Sequence, residues 1–178
     1  NQLQTDSAAT ISTLASAVST LSSTIANNFY YVKLVISNFS QGGLYLGQYG
    51  GPDLNVIQPT IMKDTSATYM CKSKIYRSLS AQMIFWSAQD LYRTAWSESA
   101  FCVSINNGDK SRLLVYECTS NDSLDNVLSG KIGKEIINLT NGTTYKNFYG
   151  SFIYASITAD DYMNIEINIQ IGGNPFKF

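Results

Sequence analysis

The hydrophobic period of this chain changes within residues 5–36, TDSAATISTLASAVSTLSSTIANNFYYVKLVI, and that change decides the fold. Up to Ile25 the large apolar residues are Ile11, Leu14, Val18, Leu21 and Ile25, at separations of 3, 4, 3 and 4. This is heptad spacing, with Ile11, Val18 and Ile25 at a and Leu14 and Leu21 at d; a strand would alternate by two. From Phe29 to Ile36 the run turns aromatic and β-branched, as strands do. The period predicts a helical stalk over residues 1–28 handing directly to a β head over residues 29–178.

The helix is weak by itself. Eleven of residues 5–26 are Ser or Thr, and no charge occurs from Ser7 through Val32. Ser and Thr hydroxyls compete with the helix backbone, so the segment needs partners. Three readings stand open: a flexible linker, an amphipathic helix packed on its own domain, and a short parallel coiled coil. A linker leaves the unbroken register unexplained, and a packed helix carries a wider stripe. The coiled coil fits both composition and register. β-Branched a residues with Leu at d favour two strands, while small uncharged residues at e and g (Ala8, Ala15, Ala17, Ser22, Thr24) let helices crowd closer. The spacing leaves two and three strands open. The register fades upstream at Gln4 and Ser7, and stops at Asn28. A chain starting at Asn1 reads as cut or processed, whereas the end after Gly172-Gly173 reads as natural.

Beyond Phe29, short apolar runs alternate with Gly, Asn, Asp and Ser. Strands are predicted at 29–37, 44–49, 54–58, 69–77, 82–88, 100–106, 112–118, 134–139, 144–149, 151–158 and 162–171. Turn signals lie at Gln41-Gly42-Gly43, Asn107-Gly108 and Asn141-Gly142. The last strand is the cleanest: Met163, Ile165, Ile167, Ile169 and Ile171 alternate with Asn164, Glu166, Asn168 and Gln170. This pattern predicts a mainly β fold, an antiparallel β-sandwich or jelly roll, behind an α-helical coiled-coil stalk. Residues 88–99, AQDLYRTAWSES, alone have a helical or long-loop character.

Composition removes much chemistry. The 178 residues include 12 basic and 13 acidic side chains and no histidine. Without imidazole there is no Ser-His-Asp or Cys-His pair and no Cys2His2 zinc site. A net charge of −1 argues against nucleic acid as partner. No run is long and apolar enough to span a membrane, and no signal peptide is written here. Cys71, Cys102 and Cys118 are widely spaced and odd in number, which favours buried free thiols over one disulfide and excludes a CxxC metal site. Neither a metal nor a cofactor is expected.

Asp90, Glu98, Glu117, Asp160 and Asp161 show no pairing of the kind glycoside hydrolysis requires, so no catalytic residue is assigned. The run Gly42 to Gly51 lacks the order of a phosphate loop and reads as a strand between tight turns. Sequons begin at Asn38, Asn121, Asn138 and Asn141, close to the roughly three that chance supplies. The best receptor-site candidate is Trp86, Tyr92, Arg93 and Trp96, because Trp and Tyr stack on sugar faces and anchor interfaces. Core or inter-subunit packing is the competing role. Tyr45, Tyr49, Tyr145 and Tyr149 form a weaker group.

A heptad stalk through Ile11, Leu14, Val18, Leu21 and Ile25, followed by the strand-rich tract from Phe29 to Ile171, resembles trimeric viral attachment proteins. These include reovirus and adenovirus fibre heads, phage tail-fibre tips and tail-needle knobs. The resemblance is one of architecture, without shaft repeats or a receptor motif. It implies a homotrimer on the virion surface whose head binds a host-cell surface receptor, glycan or protein, without membrane insertion. The alternative is a secreted trimeric ligand of the complement globular-head or tumour-necrosis-factor type.

Overall fold

The computed structural model describes residues 2–27, 29–54, 58–87, 99–107, 111–161 and 164–173, with side chains throughout except at 2–3, 19–27 and 159–161. Helix α1 (Gln2–Asn27) leads into β1 (Phe29–Phe39), β2 (Leu44–Gly50), β3 (Thr60–Ile61), β4 (Thr65–Lys74) and β5 (Ser80–Ser87). There follow β6 (Ser99–Asn106), β7 (Leu113–Thr119), a short helix α2 (Leu124–Leu128), β8 (Lys134–Leu139), β9 (Gly142–Phe148), β10 (Ser151–Asp161) and β11 (Asn164–Gly172). The strands form two sheets, ordered β4-β1-β11-β10-β9 and β3-β2-β5-β6-β7-β8.

Alternation along each strand builds the core between these sheets. Val32, Leu34 and Ile36 of β1 and Ile167, Ile169 and Ile171 of β11 are fully buried. Their neighbours Lys33 and Glu166 point outward. A run of aromatic contacts crosses the core. Tyr69 meets Phe85 edge-on at 5.7 Å, Phe85 stacks on Phe101 at 5.3 Å, and Phe101 meets Phe148 edge-on at 5.6 Å. Because Tyr69 and Phe148 belong to the five-stranded sheet and Phe85 and Phe101 to the six-stranded one, these rings tie the layers together.

The structure departs from the sequence pattern in several places. The strand pairs are antiparallel except β1 with β11, which is parallel from Tyr31↔Asn164 to Phe39↔Gly172. Parallel neighbours need a long crossover, and here everything from β2 to β10 serves as one. The strand expected at 69–77 runs from Thr65 to Lys74. Of the strand expected at 54–58, Leu54 makes an isolated bridge to Cys71, and 55–57 lie outside the described residues. Helix α2 has no counterpart in the sequence pattern; Ser123 caps it by accepting the Asn126 N–H at 3.2 Å. β6 and β7 do pair as the Asn107-Gly108 hairpin requires, although residues 108–110 lie outside the description.

The free edge of β4 is covered by the chain after β2. Asp53, fully buried there, accepts from Arg77 Nη2 at 2.6 Å and from the Ser80 N–H at 2.8 Å. Its carbonyl accepts from the Lys72 N–H at 2.9 Å. An ion pair and two backbone bonds thus hold a segment over an edge that would otherwise invite pairing with another chain.

All three cysteines are free and buried. Burial pushes each thiol from 9.0 up to about 12, with Asp53 adding to the effect at Cys71 and Asp122 at Cys118. Burial likewise pushes the Tyr69 phenol from 10.0 up to about 12. For groups raised on folding, the stabilisation is complete below the unfolded value and is lost as pH climbs through the folded one. The urea midpoint is therefore expected to fall between about pH 9 and pH 12. At pH 8 a thiol reagent is expected to label no cysteine in the native chain and all three after unfolding.

Candidate functional site

Three surfaces stand out once the sandwich is in place. The first is α1. Every residue from Gln4 through Val18 is exposed. On this helix Ile11, Leu14 and Val18 are 67%, 61% and 63% exposed, so the apolar stripe faces solvent and not the sheets. This removes the reading of α1 as a helix packed on its own domain along that length. The side chains of Leu21 and Ile25 lie outside the description, although both positions are helical. Thr10 and Thr13 donate to the carbonyls of Asp6 and Ala9, each at 3.0 Å. These bonds satisfy the hydroxyls within the helix, so Thr can approach a neighbouring helix without stranding a polar group.

The second surface is the outer side of the six-stranded sheet. Trp86 stacks on Tyr45 of the adjacent strand, with centroids 4.8 Å apart and planes 25° apart. A register shift between Leu46 and Gln48 places Gly47 beneath the indole, where an added Cβ would lie 3.0 Å from Trp86 Cδ1. A side chain at Gly47 would make the indole give way by a few tenths of an ångström. Gln48 ties the sheet to α2: its Nε2 donates to the Asp122 carbonyl at 2.7 Å, and its Oε1 accepts from the Leu124 N–H at 3.0 Å. Under α2 lies a second small core of Ile84, Ala100, Cys102, Cys118 and Val127, against which Trp86 packs. Trp86 is thus half structural. Of its expected partners, Tyr92, Arg93 and Trp96 lie outside the described residues.

The third surface is the outer side of the five-stranded sheet, near β9. Tyr145 and Tyr154 are cross-strand partners whose rings lie 5.5 Å apart and within 9° of parallel. Phe152 meets Tyr145 at 6.1 Å and 64°. Tyr145 is 58% exposed and Phe152 37%. Only Tyr145 of this trio was singled out from sequence. Phe152 and Tyr154 carried a signal nonetheless: they alternate with Ile153 and Ala155, both fully buried, so they occupy outward positions where polar residues are usual. Tyr149, by contrast, is half-buried with its hydroxyl turned inward. Its hydroxyl donates to the Cys118 carbonyl at 2.6 Å, and burial, with Glu117 adding, pushes the phenol up to about 12.

Other candidates resolve into structure. Asn38 is fully buried, and its Nδ2 donates to the carbonyls of Gly42 and Ile61, each at 2.8 Å, so its sequon is closed. Asn121, Asn138 and Asn141 are exposed. The segment from Leu44 to Gly50 is strand β2, not a phosphate loop. Among the described residues no group of Cys, Asp and Glu is placed to hold a metal ion. Asp90 and Glu98 lie outside the description, as do the side chains of Asp160 and Asp161. No described helix is long and apolar enough to cross a membrane.

No family model matches the chain, and no curated protein matches it. Among solved structures it is similar to the lipid binding protein Nakanori, at 9% identity and a TM-score of 0.57 over 81% of this chain and 71% of that one. It is also matched to the Xerocomus chrysenteron lectin XCL, at 10% identity and a TM-score of 0.45 over 80% of this chain and 98% of that one. At such identities the first likeness is one of fold, consistent with the sandwich.

Proposed function

We propose that this chain is the receptor-binding head of a homotrimeric attachment protein, joined by an α1 coiled coil and directed at a glycan on a host-cell surface. The observation that carries the reading is the solvent-facing stripe of Ile11, Leu14 and Val18 in heptad register. A stripe of this kind on a charge-poor helix is stable only when other apolar surface covers it, and equivalent positions on two further copies supply that cover. Virion attachment gives such a trimer its use, because three weak sites on one tip bind by avidity. Aromatic surfaces on a sandwich without histidine suit recognition better than catalysis, and the reading assigns no catalytic residue, metal or cofactor.

The test compares cell binding of the chain with that of Val18→Asp at equal chain concentration. Loss of trivalency is expected to weaken apparent binding by about a hundredfold or more. Unchanged binding would overturn the reading.

One observation favours a second reading, in which the recognised surface is lipid: the fold likeness to a protein described as lipid binding. An exposed apolar helix face can also lie in a membrane interface. Flotation with phosphatidylcholine vesicles separates the two. A trimeric receptor-binding head stays with the protein fraction, whereas a lipid binder rises with the vesicles.

A further inference from the structure

We propose that the sugar-binding site of this head is the platform of Tyr145, Phe152 and Tyr154, and that its ligand class is an uncharged glycan. The proposal rests on the reading of the head as glycan-binding and names the place and the sugar class. Exposed aromatic rings held in one orientation are what a sugar face needs, because its C–H groups meet the ring while its hydroxyls reach the rim. Tyr145 is backed by the near-parallel Tyr154 and bordered by the tilted Phe152. Three rings on one hairpin are fixed before any ligand arrives, which reduces the ordering cost of binding.

The ligand class follows from the surroundings. Strand register sets residues of the five-stranded sheet's outer side in rows. One row runs Ser66, Ser37, the buried Gln170, Tyr154, Tyr145, and the next runs Thr68, Val35, Asn168, Ser156, Thr143. Neither row holds a charged residue. The hydroxyls of Ser37 and Ser66 lie 2.8 Å apart, and those of Thr143 and Ser156 3.4 Å apart, which leaves further neutral donors and acceptors along the face. On the far side, Asn147 is the cross-strand partner of Phe152. It also lines a cleft of about 430 Å³ with Glu117, Lys134, Glu135 and Lys146. A carboxylate or sulfate on the platform rows gains no cation from those rows, and Lys134 and Lys146 of the neighbouring cleft share it with Glu117 and Glu135. A neutral sugar needs no cation.

The experiment uses the full chain, with galactose-terminated N-acetyllactosamine and its sialylated form as probes in a titration. The unsialylated probe is expected to bind better. Tyr145→Ala is expected to lower its affinity about tenfold or more, as is Phe152→Ala. Tyr76→Ala, exposed between β4 and β5 and outside either candidate site, is expected to retain it. Tyr145 is exposed, so its replacement is expected to leave the melting temperature unchanged, which separates lost contact from lost fold. If the wild-type chain binds sugar and Tyr145→Ala binds equally well, the platform is wrong while the glycan reading stands. Stronger binding of the sialylated probe would overturn the sugar class. Absence of binding to either probe, on a panel of neutral glycans as well, would overturn platform and glycan reading together.

Discussion

Replacing Leu14 and Val18 together by Asp is expected to convert the proposed trimer of this chain into monomers while the sandwich unfolds where it did before. In a three-stranded coil each substitution acts three times. Burial of Leu or Val contributes about 1.5–3 kcal/mol per side chain, so six lost side chains outweigh the roughly 8 kcal/mol that separates micromolar association from none. Six carboxylates brought together around one axis add repulsion and desolvation. Both residues are more than 60% exposed in the single chain, so their loss removes no packing from the head. Light scattering on the eluting peak reads the change, from three times the 19.6 kDa chain mass to one. A variant that keeps the wild-type mass would detach the stripe from assembly.

The second large effect is in the core. Phe101→Ala is expected to lower the unfolding free energy by about 3–5 kcal/mol. Phe101 is 1% exposed and touches both Phe85 and Phe148, so truncation opens a cavity where the two sheets are joined. Surrounding strands are held by their ladders and collapse only partly into the gap. The loss is to be read as the shift in urea midpoint, with the mass in solution checked alongside. A loss below about 1 kcal/mol would mean the site repacks, and the aromatic run is not the link between layers that it is taken to be.

What was legible in the sequence followed local periodicity. β1 and β11 announce themselves because Val32, Leu34 and Ile36, and the isoleucines from Ile165 to Ile171, alternate without interruption. β4 starts four residues before its expected beginning, since Thr65, Ser66, Ala67 and Thr68 offer only the small Ala67 to the core. Such an edge stretch has almost no hydrophobic signal. Helix α2 is five residues long, too short for a helical period to register. The parallel contact between β1 and β11 lies in no local pattern, because it joins the two ends of the domain. Sites suffered the same limit. Trp86 was found by residue type, but its stack on Tyr45 depends on the pairing of β2 with β5. The Tyr145 platform depends on the register of β9 against β10, which places Tyr154 opposite Tyr145 and Phe152 beside it.

Sedimentation equilibrium of the unmodified chain at micromolar concentration tests most directly whether α1 assembles three heads. The expected result is a single species at three times the chain mass, unchanged over a tenfold range of concentration. A single species at the chain mass across that range would contradict it.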